Sequence, residues 1–400
     1  MHKEAVSLTE ENRPDLTTDD KDQVPRNGDG QDYDTGGGPR QGLFHWEGWR
    51  LNRYWWWAGG AAVVILIAAM AIGLRMPGPF RSPGTPVPNL PPGKLAVIAF
   101  YDEDQELTGP NSLTLLKKNI KRVDVFSPFW YSVDQDGNLK IRIGNSRPVA
   151  EQAKLTIMPL VTNAGGNEGP TMDPNVRKHA IQNIVAEVNK NKWAGINIDF
   201  QLLSAASRQG LTQFIKDLKA ALPRDKKVFV SIIPPAQQSD SSAPYDYKAL
   251  TSAADGLVLM AYDRHDETSN PGPVAPIDWV EQSIKTVLAT GVSPAKLFLG
   301  IALYGYDWPA EGGGTAVTMP MKKIEAEKGE DHQFDQASKE SYYTYTADDG
   351  TQHIVWYEDE MSLPYKIDLV KKYNLPGIAC WRVGYEDQNW WDELGKLLGR

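Results

Sequence analysis

W-A-G-I-N-I-D-F-Q, residues 193–201, is the stretch on which the reading of the fold turns. At a period of two, Ile196, Ile198 and Phe200 point one way and Asn197, Asp199 and Gln201 the other. One face is that of an ordinary buried strand. The other aims three polar side chains along a line, and burying them costs about 1–3 kcal/mol each unless they are paired.

From Lys94 onward, similar apolar runs alternate with helical patterns. They are L-A-V-I-A-F-Y, V-D-V-F-S-P-F, L-T-I-M-P-L-V, G-I-N-I-D-F, V-F-V-S-I-I, G-L-V-L-M-A-Y, L-F-L-G-I-A-L and G-I-A-C-W. Between two of them, Leu211, Phe214, Ile215, Leu218 and Leu222 recur at helical spacing. Eight buried strands alternating with helices predict an α/β fold, a closed parallel (β/α)8 TIM barrel, with an open doubly wound sheet as the alternative. In a barrel, Ile196, Ile198 and Phe200 suit the helix side, so Asn197, Asp199 and Gln201 point inward. A barrel built only for stability would carry Val or Leu there, so the fourth strand is expected to end in a site. Residues 309–362 separate the last two runs and read as a small α+β, hairpin-bearing insertion over the barrel mouth.

The remainder of the chain has another composition. Residues 1–45 are acidic, Gly- and Pro-rich and without apolar periodicity, as expected of a disordered tail. Trp55–Leu74 holds twenty residues without a charge, enough to span roughly 30 Å of hydrocarbon as a transmembrane helix. Trp46, Trp49 and Tyr54 add an aromatic belt. A-M-A at 69–71 resembles a cleavage site, but the preceding 54 residues are too long for a signal peptide, which favours an uncleaved anchor. Arg40, Arg50 and Arg53 before the span bias the amino terminus to the cytoplasm and the barrel to the outside. Residues 77–93 hold seven prolines and read as a stiff spacer.

The formal net charge of −9 argues against a nucleic-acid partner. One cysteine, Cys380, excludes an internal disulfide, and six scattered histidines show no metal-ligand spacing, so neither metal nor cofactor is expected. Thirteen tryptophans and sixteen tyrosines are many, and an aromatic surplus is common in sugar-binding clefts.

A-G-I-N-I-D-F-Q resembles the D-G-x-D-x-D-x-E strand of family-18 glycoside hydrolases. L-M-A-Y-D, residues 259–263, resembles the M-x-Y-D of the sixth strand, and G-I-A-C-W, residues 377–381, the last strand, whose Trp floors the sugar site. G-P-V-A-P-I-D-W-V, L-G-I-A-L-Y-G-Y-D-W and V-W-Y-E-D resemble the spore-germination and cortex-lytic branch. The resemblance covers about residues 94–398 and implies a substrate-assisted mechanism, in which the sugar's own acetamide is the nucleophile. It further implies that Asp199 orients the acetamide N–H and that Tyr262 bonds the acetamide oxygen. Trp381 would stack under the ring, with Asn197, Asp263 and Tyr304 as further sugar contacts. The partner implied is a glycan containing N-acetylglucosamine, such as peptidoglycan, spore cortex or a chitin-like oligomer.

Ala194 and Asn197 stand where the motif has Asp, and Gln201 stands where it has the Glu acid. An amide keeps the shape of a carboxylic acid but has no proton to give, and a lost general acid lowers the rate by about 10²–10⁴. The expectation is retained binding with weak or absent hydrolysis. Asp102, Glu103 and Asp104 after the first strand, or Asp266 and Glu267 after the sixth, are the alternative acids. A barrel that only recruits a protein partner is the third reading.

Overall fold

Fully buried parallel strands are near-continuous apolar runs, and seven of the eight runs form one continuous strand each. In the computed structural model, which describes residue 87 and residues 93–103, 112–235, 240–312, 316–327 and 332–400, the strands follow in chain order. They are β1 (Ala96–Tyr101), β2 (Val125–Val133), β3 (Leu139–Ile141), β4 (Thr156–Ile157), β5 (Leu160–Thr162), β6 (Gly195–Asp199), β7 (Lys227–Ile232), β8 (Gly256–Leu259) and β9 (Leu297–Ala302). The insertion supplies β10 (Tyr304–Pro309), β11 (Val317–Pro320), β12 (Gln333–Asp335), β13 (Glu340–Thr346) and β14 (Gln352–Tyr357), and β15 (Gly377–Val383) returns to the barrel.

The parallel strands run β1-β15-β9-β8-β7-β6-β5-β2, and β1 pairs with β2 to close the ring. That is the eight-stranded barrel. β3 hangs antiparallel on β2. The third apolar run splits into β4 and β5 around Met158 and Pro159, where proline offers no N–H to a ladder.

Two apolar layers follow from strand alternation. Ile98, Phe100, Met158, Leu160, Phe229, Val258 and Phe298 fill the barrel interior. Ile196, Ile198 and Phe200 belong to the outer layer with Leu211, Phe214 and Leu218 of the helix Arg208–Ala221, and the rings of Phe200 and Phe214 lie 5.0 Å apart. Asn197 faces the interior, opposite Leu160 and Phe229 in register.

The insertion forms a sheet of its own with a helix packed on it. It begins at Tyr304, ahead of residue 309, as a five-stranded antiparallel sheet ordered β11-β10-β14-β13-β12. One face carries Met319, Tyr343, Val355 and Tyr357 against Ile324 of the helix Met321–Glu327. The other carries Tyr304, Tyr306 and Trp308 into the outer core of the barrel.

The expected tail 1–45, the span 55–74 and most of the spacer lie outside the described residues. Val87, inside the expected spacer, is buried in the interior cluster of the barrel. Among the described residues no helix is long and apolar enough to cross a membrane.

Candidate functional site

The carboxyl ends of β6, β8, β9 and β15 surround a cleft of about 360 Å³, lined by Asp199, Gln201, Leu202, Met260, Tyr262, Asp263, Asp266, Tyr304 and Trp381. Six of the seven residues singled out from the sequence meet there. Asn197 does not: it is 1% exposed, and among the described residues neither polar atom of its side chain has a hydrogen-bond partner. Asn197 is thus not part of the cleft lining. The pleat that turns it inward also sets it one full repeat below Asp199, inside the barrel.

Asp199 is 5% exposed at the end of β6. Gln201 Nε2 donates to Asp199 Oδ1 at 2.8 Å and also approaches Met260 Sδ at 3.6 Å. Burial raises the Asp199 carboxyl to about 6, against the lowering effect of that hydrogen bond. The backbone of Gln201 is clamped by Asn163, whose Oδ1 accepts from Gln201 N at 2.9 Å and whose Nδ2 donates to Gln201 O at 2.8 Å.

Tyr262 ends the β8 run, and burial holds its phenol well above the ordinary range, with the charges of Asp263 and Asp199 adding to the shift. It is a hydrogen-bond donor at any ordinary pH. Gly300 in β9 makes room for its ring: a Cβ there would lie 2.9 Å from the ring and 2.6 Å from the Leu259 carbonyl. Asp263 has a positive φ of 60°, which Asp tolerates better than most residues. Its Oδ1 accepts from Tyr304 at 2.6 Å and Tyr306 at 2.9 Å, while burial raises its carboxyl to about 6. Tyr304 thus reaches the cleft with its hydroxyl already donating a hydrogen bond to Asp263. Trp381 packs edge-on to Phe100 with ring centroids 5.5 Å apart.

The alternative acids fare differently. Asp102 is buried and ion-paired to Arg382 at 2.5 Å. Glu103 accepts from Trp130 Nε1 at 2.7 Å and from Ser146 Oγ. Asp104 lies outside the described residues. Glu267 accepts from Thr318 Oγ1. Asp266 alone of these lines the cleft, and its Oδ1 takes the N–H and hydroxyl of Thr268, each at 2.9 Å.

Sequence reasoning missed Asn163, Met260, Leu202 and Tyr306. Tyr306 was within reach, because it shares a strand face with Tyr304. Asn163 meets Gln201 only through folding. A wider groove of about 820 Å³ runs between Arg264, Trp279 and Ser338. Lys285 and Glu281 there pair with each other at 3.2 Å, and the groove gathers none of the expected residues, so the smaller cleft is the stronger candidate. Outside the cleft, Glu325, Asp359 and Glu360 bring carboxylates within 4.8 Å of one another. Asp359 Oδ1 there accepts from the N–H groups of Met361 and Ser362 at the start of the next helix.

The family model for glycosyl hydrolases family 18 matches residues 138–386. The cortical fragment-lytic enzyme of Bacillus subtilis (strain 168) is 29% identical over 281 residues, covering 66% of this chain and 65% of that protein. This chain spans 65–66% of the length of the curated Bacillus subtilis relatives it matches. The spore cortex-lytic enzyme SleL of Bacillus cereus has a TM-score of 0.69 at 22% identity, covering 76% of this chain and 74% of that one. A chitinase from Chromobacterium violaceum ATCC 12472 gives 0.69 at 24%, covering 76% and 99%. At these identities the likeness to the two structures is one of fold.

Proposed function

Because the chain belongs to glycosyl hydrolases family 18, we propose that its cleft binds glycans containing β-1,4-linked N-acetylglucosamine and hydrolyses them slowly or not at all. In the substrate-assisted route the 2-acetamido oxygen attacks the anomeric carbon, so the protein needs no nucleophile. It must orient the acetamide, support the ring and protonate the leaving oxygen. Asp199 suits the first task, since its one side-chain hydrogen bond leaves Oδ2 for an acetamide N–H. Tyr262 offers its proton to the acetamide oxygen, and Trp381 offers a ring face.

The observation that carries the reading is the 2.8 Å bond from Gln201 Nε2 to Asp199 Oδ1. It fixes the amide as a donor to the residue that orients the substrate. A Glu in that place would pass a proton to the leaving oxygen and later take one from water; the amide does neither. Asp266 supports a second reading, an enzyme with a relocated acid, because it alone among the alternative acids described lines the cleft.

Titration calorimetry with N-acetylglucosamine oligomers, beside an assay for new reducing ends, tests the proposal. Binding without cleavage is expected. Absence of binding sinks it, and cleavage of natural oligomers at ordinary enzyme rates favours the Asp266 reading.

We further propose that the Trp55–Leu74 run anchors the chain in a membrane with the barrel outside, facing the cell or spore envelope. The protein should then resist high-salt extraction and lose that association when residues 1–76 are deleted. A mature amino terminus near Ile72 would instead indicate a cleaved signal.

A further inference from the structure

Leu202 is 79% exposed, and its φ of +55° lies in the left-handed region, which bulky side chains disfavour. A lone exposed leucine needs no explanation. A strained one on the rim of a cleft points to function. Leu202 directly follows Gln201 and lines the same cleft. Its Cβ is propped on the loop after β5, so near Gly166 that a Cβ on that glycine would come within 2.8 Å of it. Asn163, from the same loop, clamps the Gln201 backbone beside it. Tyr262 follows β8, Tyr304 opens β10 directly after β9, and Trp381 lies in β15, opposite β6 in the closed ring, so none of them comes from the β5 side on which Leu202 rests. The side chain of Gln201 turns toward Asp199 and Met260, while Leu202 leans on the loop after β5.

We propose that Leu202 is the apolar contact for the sugar on the far side of Gln201, where a leaving group would sit, and that it selects oligomers long enough to reach there. The inference rests on the glycan binding proposed above. A pyranose ring presents C–H groups on its faces, and covering exposed leucine surface with them removes apolar area from water. The contact is independent of hydrolysis, so it serves a binding protein as well as an enzyme.

The test is calorimetry on the full chain with two ligands: a hexamer of N-acetylglucosamine, and a thiazoline analogue of the single sugar that fills only the Trp381 side. Leu202→Gly should lose about tenfold in affinity for the hexamer and keep its affinity for the thiazoline. It should unfold no lower than the parent, because glycine accepts a positive φ. Leu202→Asn, which also tolerates that backbone, should behave alike. Unchanged hexamer affinity in both variants, while Trp381→Ala still weakens it, overturns the role of Leu202 and leaves glycan binding standing. Equal losses for both ligands overturn it too, since the residue would then shape the whole cleft. A parent that binds neither ligand refutes both proposals.

Discussion

At the seam between barrel and insertion, Glu340 and Glu358 are buried around Lys366; at the cleft, Asp199 is buried beside the amide of Gln201. Glu340 accepts from Val274 N at 2.7 Å and Ala275 N at 2.5 Å. Lys366 Nζ lies 2.7 Å from Glu358 Oε1 and donates to the Ala275 carbonyl, while Glu358 Oε2 accepts from Ala302 N at 3.2 Å. Here each buried carboxyl accepts from backbone N–H groups of a neighbouring segment, and the effect is to fasten the insertion to β9 and to the loop after β8. Among the described residues Asp199 receives one side-chain hydrogen bond, from Gln201, and lines the cleft. A fully partnered acid holds a fold together, whereas an under-partnered one at a cleft is ready for a donor from outside.

Restoring the acid breaks the contrast most directly. Gln201→Glu should raise hydrolysis of a natural-type oligosaccharide by about 10²–10⁴, with activity falling at alkaline pH as the new acid loses its proton. Activity at the parent's level would mean that more than one part is missing. Next in size is the seam. Lys366→Met leaves two carboxylates buried without their cation and should destabilise the fold by about 3–5 kcal/mol in denaturant unfolding. A neutral result would mean that the seam does not depend on its ion pair. Trp381→Ala should weaken oligosaccharide binding by about 1–3 kcal/mol, by analogy with base stacking on aromatic rings, and leave circular dichroism unchanged.

The smallest effect is one of pH. If the Asp199 carboxylate accepts the acetamide N–H, affinity should drop several-fold as pH falls through about 6, and Asp199→Asn should flatten that profile. Stability moves the other way. The folded-state pKa of Asp199 is raised, so the native protein holds this proton where the unfolded chain has lost it. Acidification from about 6 toward the ordinary carboxylate range therefore favours the fold at this group. Binding lost at pH 5 alongside a retained melting temperature would separate the two.

Much of the barrel was legible because buried parallel strands are near-continuous apolar runs, a signal that needs no partner to be read. The β6 run, residues 195–200 by pattern, is Gly195–Asp199 in the structure. Asp199, Tyr262, Asp263 and Trp381 were singled out because the strand-end motifs that carry them resemble those of the family. The depth of Asn197 was not: alternation tells which face a residue takes, not how far down the barrel it sits. Nor was the commitment of Asp102 to Arg382, since the two lie on opposite sides of a pairing made only at closure, β1 with β15. The insertion was underestimated because antiparallel strands with one half-exposed face give weaker runs, and because β10 continues directly from β9.

That closure has a consequence for synthesis. β1 pairs with β2 early in the chain, but its other neighbour is β15 at residues 377–383. Until the ribosome has delivered those residues, the nascent protein is an open sheet whose unpaired margins, on β1 and β9, can recruit another chain. A premature stop in the last quarter of the message would yield an aggregation-prone half-product rather than a smaller barrel, so translation rate and chaperone supply should govern the yield of this protein.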